Sequence, residues 1–261
     1  MLESLKKKIC LITGARTGIG LSIGQTLAKN GYRVIFSGRS VNDCKDTVNQ
    51  LATDGFEAVE SPIDLSNLSS LKQETEMALS IWGTVDILIN NGAVIEPISL
   101  IKKLDAQNFE NAVRVNYLAP SLLISYCWSN FVKNRGKVIN ILSGASVNPI
   151  EGWAAYCSTK AALNMINQQT HLEGEKYGIS SIGISPGMVD TEMQGKIRAS
   201  GVNQISKVKK EDLLNTKQPG LFALWCASPE ANQFSGEMIS ENDPEVKAKY
   251  QAWIKTQAEK L

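Results

Sequence analysis

Tyr156 and Lys160 stand four residues apart in Tyr156-Cys157-Ser158-Thr159-Lys160. On a helix that spacing puts both side chains on one face. A lysine ammonium beside a phenol favours the phenolate and lowers the tyrosine pKa from about 10 toward the working range. Ser143 lies thirteen residues before Tyr156, at the end of the apolar run from Lys137 to Leu142. Its hydroxyl can hold a carbonyl oxygen. A Tyr-x-x-x-Lys spacing alone is common, so its weight depends on its surroundings.

A second group of residues suits phosphate. Thr13-Gly14-Ala15-Arg16-Thr17-Gly18-Ile19-Gly20 follows a short apolar run and precedes a helical pattern. Gly14, Gly18 and Gly20 let backbone approach a pyrophosphate, and a helix N-terminus offers free N–H groups and a positive dipole. The spacing is GxxxGxG rather than the commoner GxGxxG of dinucleotide turns. After the second apolar run, an acid would hold the ribose 2′-hydroxyl of NAD. The sequence instead has Ser37-Gly38-Arg39-Ser40. Arg39 can clamp a 2′-phosphate and Ser40 can add a hydrogen bond, with Arg16 a second cation in the first turn. One such charge-assisted bond contributes about 1.5–3 kcal/mol, enough to set NADPH over NADH.

The elements that must position these groups alternate along the chain. Ile9–Ile12, Val34–Phe36, Glu57–Glu60, Val85–Ile89, Lys137–Leu142 and Ser180–Ser185 read as strands. Between them lie helical patterns at Ile19–Lys29, Val41–Thr53, from a Ser66 or Asn67 cap to about Ile81, Asp105–Lys133 and Ala155–Tyr177. The main strands are apolar on both faces, as in a parallel sheet covered on both sides. The pattern predicts one domain over residues 1–261, a Rossmann-like, doubly wound α/β sheet with helices on both faces. Residues 187–210 break the rhythm and follow a strand end, where a ligand crevice forms, so they are expected to cover substrate. Pro244 to Leu261 reads as a polar helix anchored by Tyr250 and Trp253.

Composition narrows the partners. The 261 residues carry a net charge of +1, giving no reason to expect nucleic acid or a membrane. Lys6, Lys7 and Lys8 form the only early basic run, and no stretch has the length of a membrane span. His171 is the only histidine, which argues against most zinc sites and an ordinary Ser-His-Asp triad; no metal is expected. Five cysteines without CxxC spacing suggest reduced thiols. The start lacks a signal-peptide pattern, and Glu259-Lys260-Leu261 only half matches a peroxisomal tail, so the cytoplasm is the expected location.

Along nearly its whole length the chain resembles the short-chain dehydrogenase/reductase family. The matching pieces are TGARTGIG at 13–20, Asp64 before Leu65, NNGA at 90–93, Asn116, Ser143, YCSTK at 156–160 and PGMVDT at 186–191. Within the family, GWAAYCSTKAAL, PGMVDTEMQ and Ser240–Pro244 are most similar to benzil reductases and sepiapterin reductases. The resemblance implies that Tyr156 protonates a carbonyl oxygen, Lys160 lowers its pKa and binds the nicotinamide ribose, Ser143 orients the carbonyl, and Asn116 helps hold a water-linked relay to Lys160. It also implies cofactor contacts from Asp64 and Leu65 at adenine, Asn91 in the cleft wall, and Val189 and Thr191 near the nicotinamide. Pairing of the long helices into a homodimer is a further family implication. Two departures stand out. Gly92-Ala93 reverses the family's usual Ala-Gly order, and Leu142 replaces the usual Ser or Gly.

The small-molecule substrate is the least determined part. Trp153 is either a wall for an aromatic substrate or ordinary packing. Ile150, Met188 and Met193 are candidate apolar lining. These favour an apolar or aromatic ketone or α-diketone. A pterin would need a buried carboxylate, for which Asp190, Glu241 and Asp243 are candidates. The competing expectations are therefore an NADPH-dependent diketone or ketone reductase, an oxidoreductase acting on a pterin, sugar or steroid, and a non-enzymatic NADP-sensing protein.

Overall fold

The computed structural model describes residues 7–258. Lys6 of the basic run and the Glu259-Lys260-Leu261 tail lie outside the described residues. Seven strands form one parallel sheet among them: β1 (Ile9–Thr13), β2 (Arg33–Ser37), β3 (Ala58–Glu60), β4 (Ile87–Asn90), β5 (Lys137–Ile141), β6 (Ser180–Ile184) and β7 (Met238–Ile239), in the order β3-β2-β1-β4-β5-β6-β7. The helices are α1 (Gly18–Lys29), α2 (Lys45–Thr53), α3 (Leu71–Trp82), α4 (Ala106–Val113), α5 (Ala119–Asn134), α6 (Ala154–Gly174), α7 (Glu192–Ser200), α8 (Lys217–Ala227) and α9 (Pro244–Ala258). This is the doubly wound α/β fold that the alternation predicts.

The strand residues explain why both faces are covered. Cys10 and Ile12 face one apolar layer, while Ile9 and Leu11 face the other. Val34 and Phe36 divide from Ile35 in the same way, and Ile87 and Ile89 from Leu88. The strand period of two thus feeds two cores. The first holds Ile23 and Leu27 of α1 with Phe222 and Trp225 of α8. The second holds Leu71 of α3 with Leu123, Cys127 and Phe131 of α5. Tyr250 of α9 meets Phe222 edge-on at 5.2 Å and Trp225 at 5.6 Å, and Trp253 packs against the same core. These are the expected anchors of the last helix; each aromatic pair adds about 0.5–1.5 kcal/mol beyond its area.

Several boundaries differ from the sequence expectation. Residues before Lys45 form turns, so the second helix starts four residues later than Val41. Ser66 and Asn67 do not cap α3. Ser66 donates its N–H and hydroxyl to Asp64 at 2.9 and 2.7 Å, and the Asn67 N–H reaches the Asp64 carbonyl at 3.0 Å. Short polar side chains have formed a local turn in competition with the helix. The expected long helix over 105–133 is divided by a π-helical turn at Arg114–Leu118, closed by the Ala119 N–H on the Arg114 carbonyl. Pro120 has no N–H to give the Asn116 carbonyl, its α-helical partner four residues back. Residues 187–210 also hold more structure than expected. Thr191 caps α7 by accepting from the Gln194 N–H at 3.4 Å.

Candidate active site

The glycine turn between β1 and α1 is held against the end of β4. A Cβ at Gly14, whose φ is +61°, would stand 2.7 Å from the Gly92 Cα, and one at Gly20 would stand 2.4 Å from the Asn91 Nδ2. Asn91 Nδ2 donates to the carbonyls of Thr13 and Gly14, each at 3.0 Å. Only glycine fits this approach. At the N-terminus of α1, Thr17 makes no side-chain capping bond. The first turn of α1 thus has no side-chain acceptor of its own, and Gly18 and Ile19 line the cleft, an arrangement suited to a pyrophosphate.

A cleft of about 960 Å³ runs from this turn across the carboxyl ends of the strands. Arg39, Ser40, Asp64 and Leu65 line the part of it next to β2. Arg39 is largely exposed, its Nε 3.9 Å from an Asp64 carboxylate oxygen. Arg16 also lines the cleft, but its guanidinium meets Glu192 of α7 at 3.5 Å. This donor set fits a nicotinamide dinucleotide: uncapped amides at the start of α1 for the pyrophosphate, and an exposed arginine, Arg39, only loosely paired with Asp64.

The reversed Gly92-Ala93 order has a spatial cause. Gly92 does not need a left-handed backbone; a Cβ there would meet the Leu65 Cδ1 at 2.5 Å. The Leu65 side chain fills the space that an alanine methyl would take. The Gly92 N–H donates to the Thr13 hydroxyl at 3.1 Å, tying the cleft wall to β1.

Ser143, Tyr156 and Lys160 come together in the middle of the cleft. Ser143 follows β5, and its Oγ accepts from the Ala145 N–H at 3.2 Å. Tyr156 lies in the first turn of α6 and Lys160 one turn later. Lys160 Nζ lies 5.7 Å from the centre of the Tyr156 ring and donates to the Ile141 carbonyl at 2.6 Å. Burial pushes Tyr156 up to about 12, with a hydrogen bond from Ser143 acting the other way, and burial pulls Lys160 down to about 8. The expected lowering of the phenol by Lys160 is therefore corrected. Burial sets the direction of the shift, and the Lys160 ammonium is turned to the Ile141 carbonyl instead of the phenol. At neutral pH the phenol keeps its proton and is a donor rather than a base.

Asn116 sits in the π-helical turn and is fully buried. Its Oδ1 accepts from the Val94 N–H at 2.8 Å, while its Nδ2 donates to the Val94 carbonyl at 2.8 Å and Thr159 at 3.2 Å. Its side chain therefore joins the cleft wall to α6 next to Lys160.

The far end of the cleft is apolar. Trp153 packs edge-on to Tyr156, with ring centres 5.7 Å apart, in a cluster that includes Ile150 and Met193. Met188 lines the rim and is half-exposed. Sequence reasoning missed Ile95, Gln194, Ile197 and Ile205, which also line this end. Only their burial in a tertiary cluster marks them. Val189 and Thr191 line the cleft beside Gly18, with the Thr191 Cγ2 3.2 Å from where a Gly18 Cβ would stand. Of the carboxylates considered for a pterin, none lines the cleft. Asp190 pairs with Lys210 at 3.4 Å, Asp243 accepts from the Ser240 N–H at 2.7 Å, and Glu241 lies elsewhere.

Other groups have bland roles. The described cysteines form no disulfide, and burial raises the Cys157 thiol, the reverse of an activated nucleophile. His171 shares a hydrogen bond with the Ser235 hydroxyl at 3.0 Å. No cluster of metal-ligating side chains occurs among the described residues, and no described helix is long and apolar enough to cross a membrane.

These features define a nucleotide-dependent oxidoreductase site. The chain belongs to the short-chain dehydrogenase family, whose model, "short chain dehydrogenase", matches residues 8–201. It is thus an NAD(P)-dependent oxidoreductase acting on CH–OH or C=O groups of small molecules. It is 32% identical over 219 residues to a benzil reductase ((S)-benzoin forming) of Bacillus subtilis, covering 80% of this chain and 85% of that one. An uncharacterized oxidoreductase of Schizosaccharomyces pombe is 32% identical over 192 residues, covering 74% and 75%. A solved short-chain dehydrogenase/reductase from Saccharomyces cerevisiae superposes with a TM-score of 0.80 at 27% identity, covering 92% of this chain and 98% of that one.

Proposed function

We propose that the chain is an NADPH-dependent carbonyl reductase acting on an apolar or aromatic ketone or α-diketone. The observation that carries this reading is the buried Tyr156 side chain, which lines the cleft with Ser143 and Lys160 and packs in one apolar cluster with Trp153 and Ile197. The nucleotide, when bound, supplies the hydride. Gly14, Thr17, Gly18 and Ile19 receive its pyrophosphate, while Gly20, which does not line the cleft as the sequence suggested, makes room for Asn91 behind the turn; Asp64, Leu65 and Asn91 wall its adenosine half. Arg39 and Ser40 take the 2′-phosphate, and Val189 and Thr191 meet the nicotinamide end.

Ser143 holds the carbonyl oxygen and Tyr156 gives it a proton. Lys160 holds the ribose and, as an ammonium, stabilises the phenolate left behind. Asn116 fixes the wall next to them, and its main-chain carbonyl, which Pro120 cannot engage, is the acceptor for a relay water. Residues 187–210, carrying Met188, Met193 and Ile197, cover the substrate against Trp153 and Ile150 within the single domain.

The reading is tested by following NADPH absorbance with benzil, smaller diketones, sepiapterin and simple aldehydes, with NADH in parallel. Diketone reduction with NADPH preference is the expected result. Binding of NADPH without turnover of any carbonyl would favour the sensing alternative, and sepiapterin as the best substrate would overturn the diketone assignment.

A further inference from the structure

Gln194 lies in the first turn of α7, lines the cleft and is only 5% exposed. Its side-chain Nε2 is buried and has no hydrogen-bond partner. The cleft has a second such donor: Trp153, also 5% exposed, whose indole Nε1 is likewise buried without a partner. The two come from different elements, α7 and the turn before α6, and both residues line the cleft. Ile197, one turn beyond Gln194, packs in one cluster with Trp153 and Tyr156.

Folded interiors leave few polar groups unpaired, because an unmade bond costs the full desolvation of the donor. Two orphaned donors on residues that line one cleft are therefore an expense without a structural return. A bound substrate with an acceptor atom in reach removes it. The indole N–H is fixed by its ring packing. The Gln194 amide stands on a side chain with three rotatable bonds, through which its donor can be redirected to a ligand in the cleft that the residue lines.

We propose that Gln194 is a specificity residue. It donates a hydrogen bond to a second oxygen of the substrate, next to the carbonyl that Tyr156 protonates. The preferred substrates are then vicinal dicarbonyls and related α-oxygenated ketones rather than simple ketones of the same size. The proposal rests on the carbonyl-reductase reading above and adds to it the residue that reads the neighbouring oxygen. A site built around a donor discriminates strongly against an analogue lacking the acceptor.

The test compares 1-phenyl-1,2-propanedione with propiophenone, which lacks the second carbonyl, in the wild type and in Gln194→Met. Methionine keeps the length and removes the donor. Two quantities are measured: kcat/KM with NADPH, and equilibrium binding to the enzyme–NADP+ complex. The dione-to-monoketone preference should fall about 10-fold or more in both. Gln194→Met should also melt at a higher temperature than the wild type, since it removes a buried unpaired amide. Trp153→Phe provides a second variant that keeps the aromatic ring and should lower the same ratio. A binding ratio unchanged within about twofold in Gln194→Met overturns the proposal. Failure of the wild type to reduce either ketone counts against the carbonyl-reductase reading, while the binding ratio still decides the role of Gln194.

Discussion

Lys160 Nζ lies 5.7 Å from the centre of the Tyr156 ring, yet its hydrogen bond goes to the Ile141 carbonyl. Both groups are buried, so their protons behave oppositely from the usual phenolate–ammonium picture. Tyr156 rises to about 12 and Lys160 falls to about 8. The phenol is protonated throughout the neutral range, and the lysine is the group that changes charge near it. Carbonyl reduction should therefore be level at neutral pH and decline as pH rises through about 8, where Lys160 loses the charge that stabilises the phenolate. A pH profile of kcat checks this. In Lys160→Met, residual activity should be low and the limb near 8 should be absent.

Arg39 lines the cleft, is exposed and is only loosely paired with Asp64, so its guanidinium is accessible to a phosphate. Arg16, engaged with Glu192, is less so. Arg39→Asp should weaken NADPH by roughly 10- to 150-fold while changing NADH much less. Titrations of both nucleotides give the ratio. An equal loss for both would remove Arg39 from the phosphate site.

Gly92 and Leu65 share one space, with 2.5 Å between a Gly92 Cβ position and the Leu65 Cδ1. Gly92→Ala should cost about 1–3 kcal/mol through overpacking. Adding Leu65→Val should recover much of that loss. Urea unfolding of the two single variants and the double variant forms the cycle, and simple additivity would contradict the shared space.

Lys137 is a second buried lysine, away from the cleft. Its Nζ donates to the carbonyls of Cys226 and Ser228 at 2.7 and 2.6 Å. Burial lowers its pKa from 10.5 to about 8. Between those values the unfolded chain binds more protons than the folded one, so this group's contribution to stability rises with pH across that window. Below about 8 the cost of keeping it charged is fully present. The stability of the wild type relative to Lys137→Met should therefore improve from pH 8 toward 10.5, by about 1.4 kcal/mol per unit of pKa difference. A difference that stays flat with pH would show that the ammonium is not desolvated.

The sequence made some of this legible and hid the rest for physical reasons. Strands with both faces buried read as apolar runs, and the fold follows from their alternation with helices. Tyr156, Lys160 and the glycine turn are legible because helix periodicity and turn chemistry are local. β7 has two residues and cannot show a period. The π-helical turn at Asn116 depends on where Pro120 falls in a helix that otherwise reads as continuous. The lining by Gln194 and Ile197 depends on how α7 returns over the cleft. Lys196 of that helix meets Glu96, a hundred positions earlier, at 2.6 Å. The direction of the Tyr156 shift is not legible in residue spacing, which reports a neighbouring charge but not burial.

The most direct test of the account is NADPH-dependent diketone reduction by Tyr156→Phe, measured beside its NADPH affinity. The change removes one hydroxyl and keeps the ring that packs against Trp153. The account predicts nucleotide binding close to that of the wild type and a rate lowered by about 10²–10⁴. Near-normal turnover by this variant would contradict Tyr156 as the proton donor.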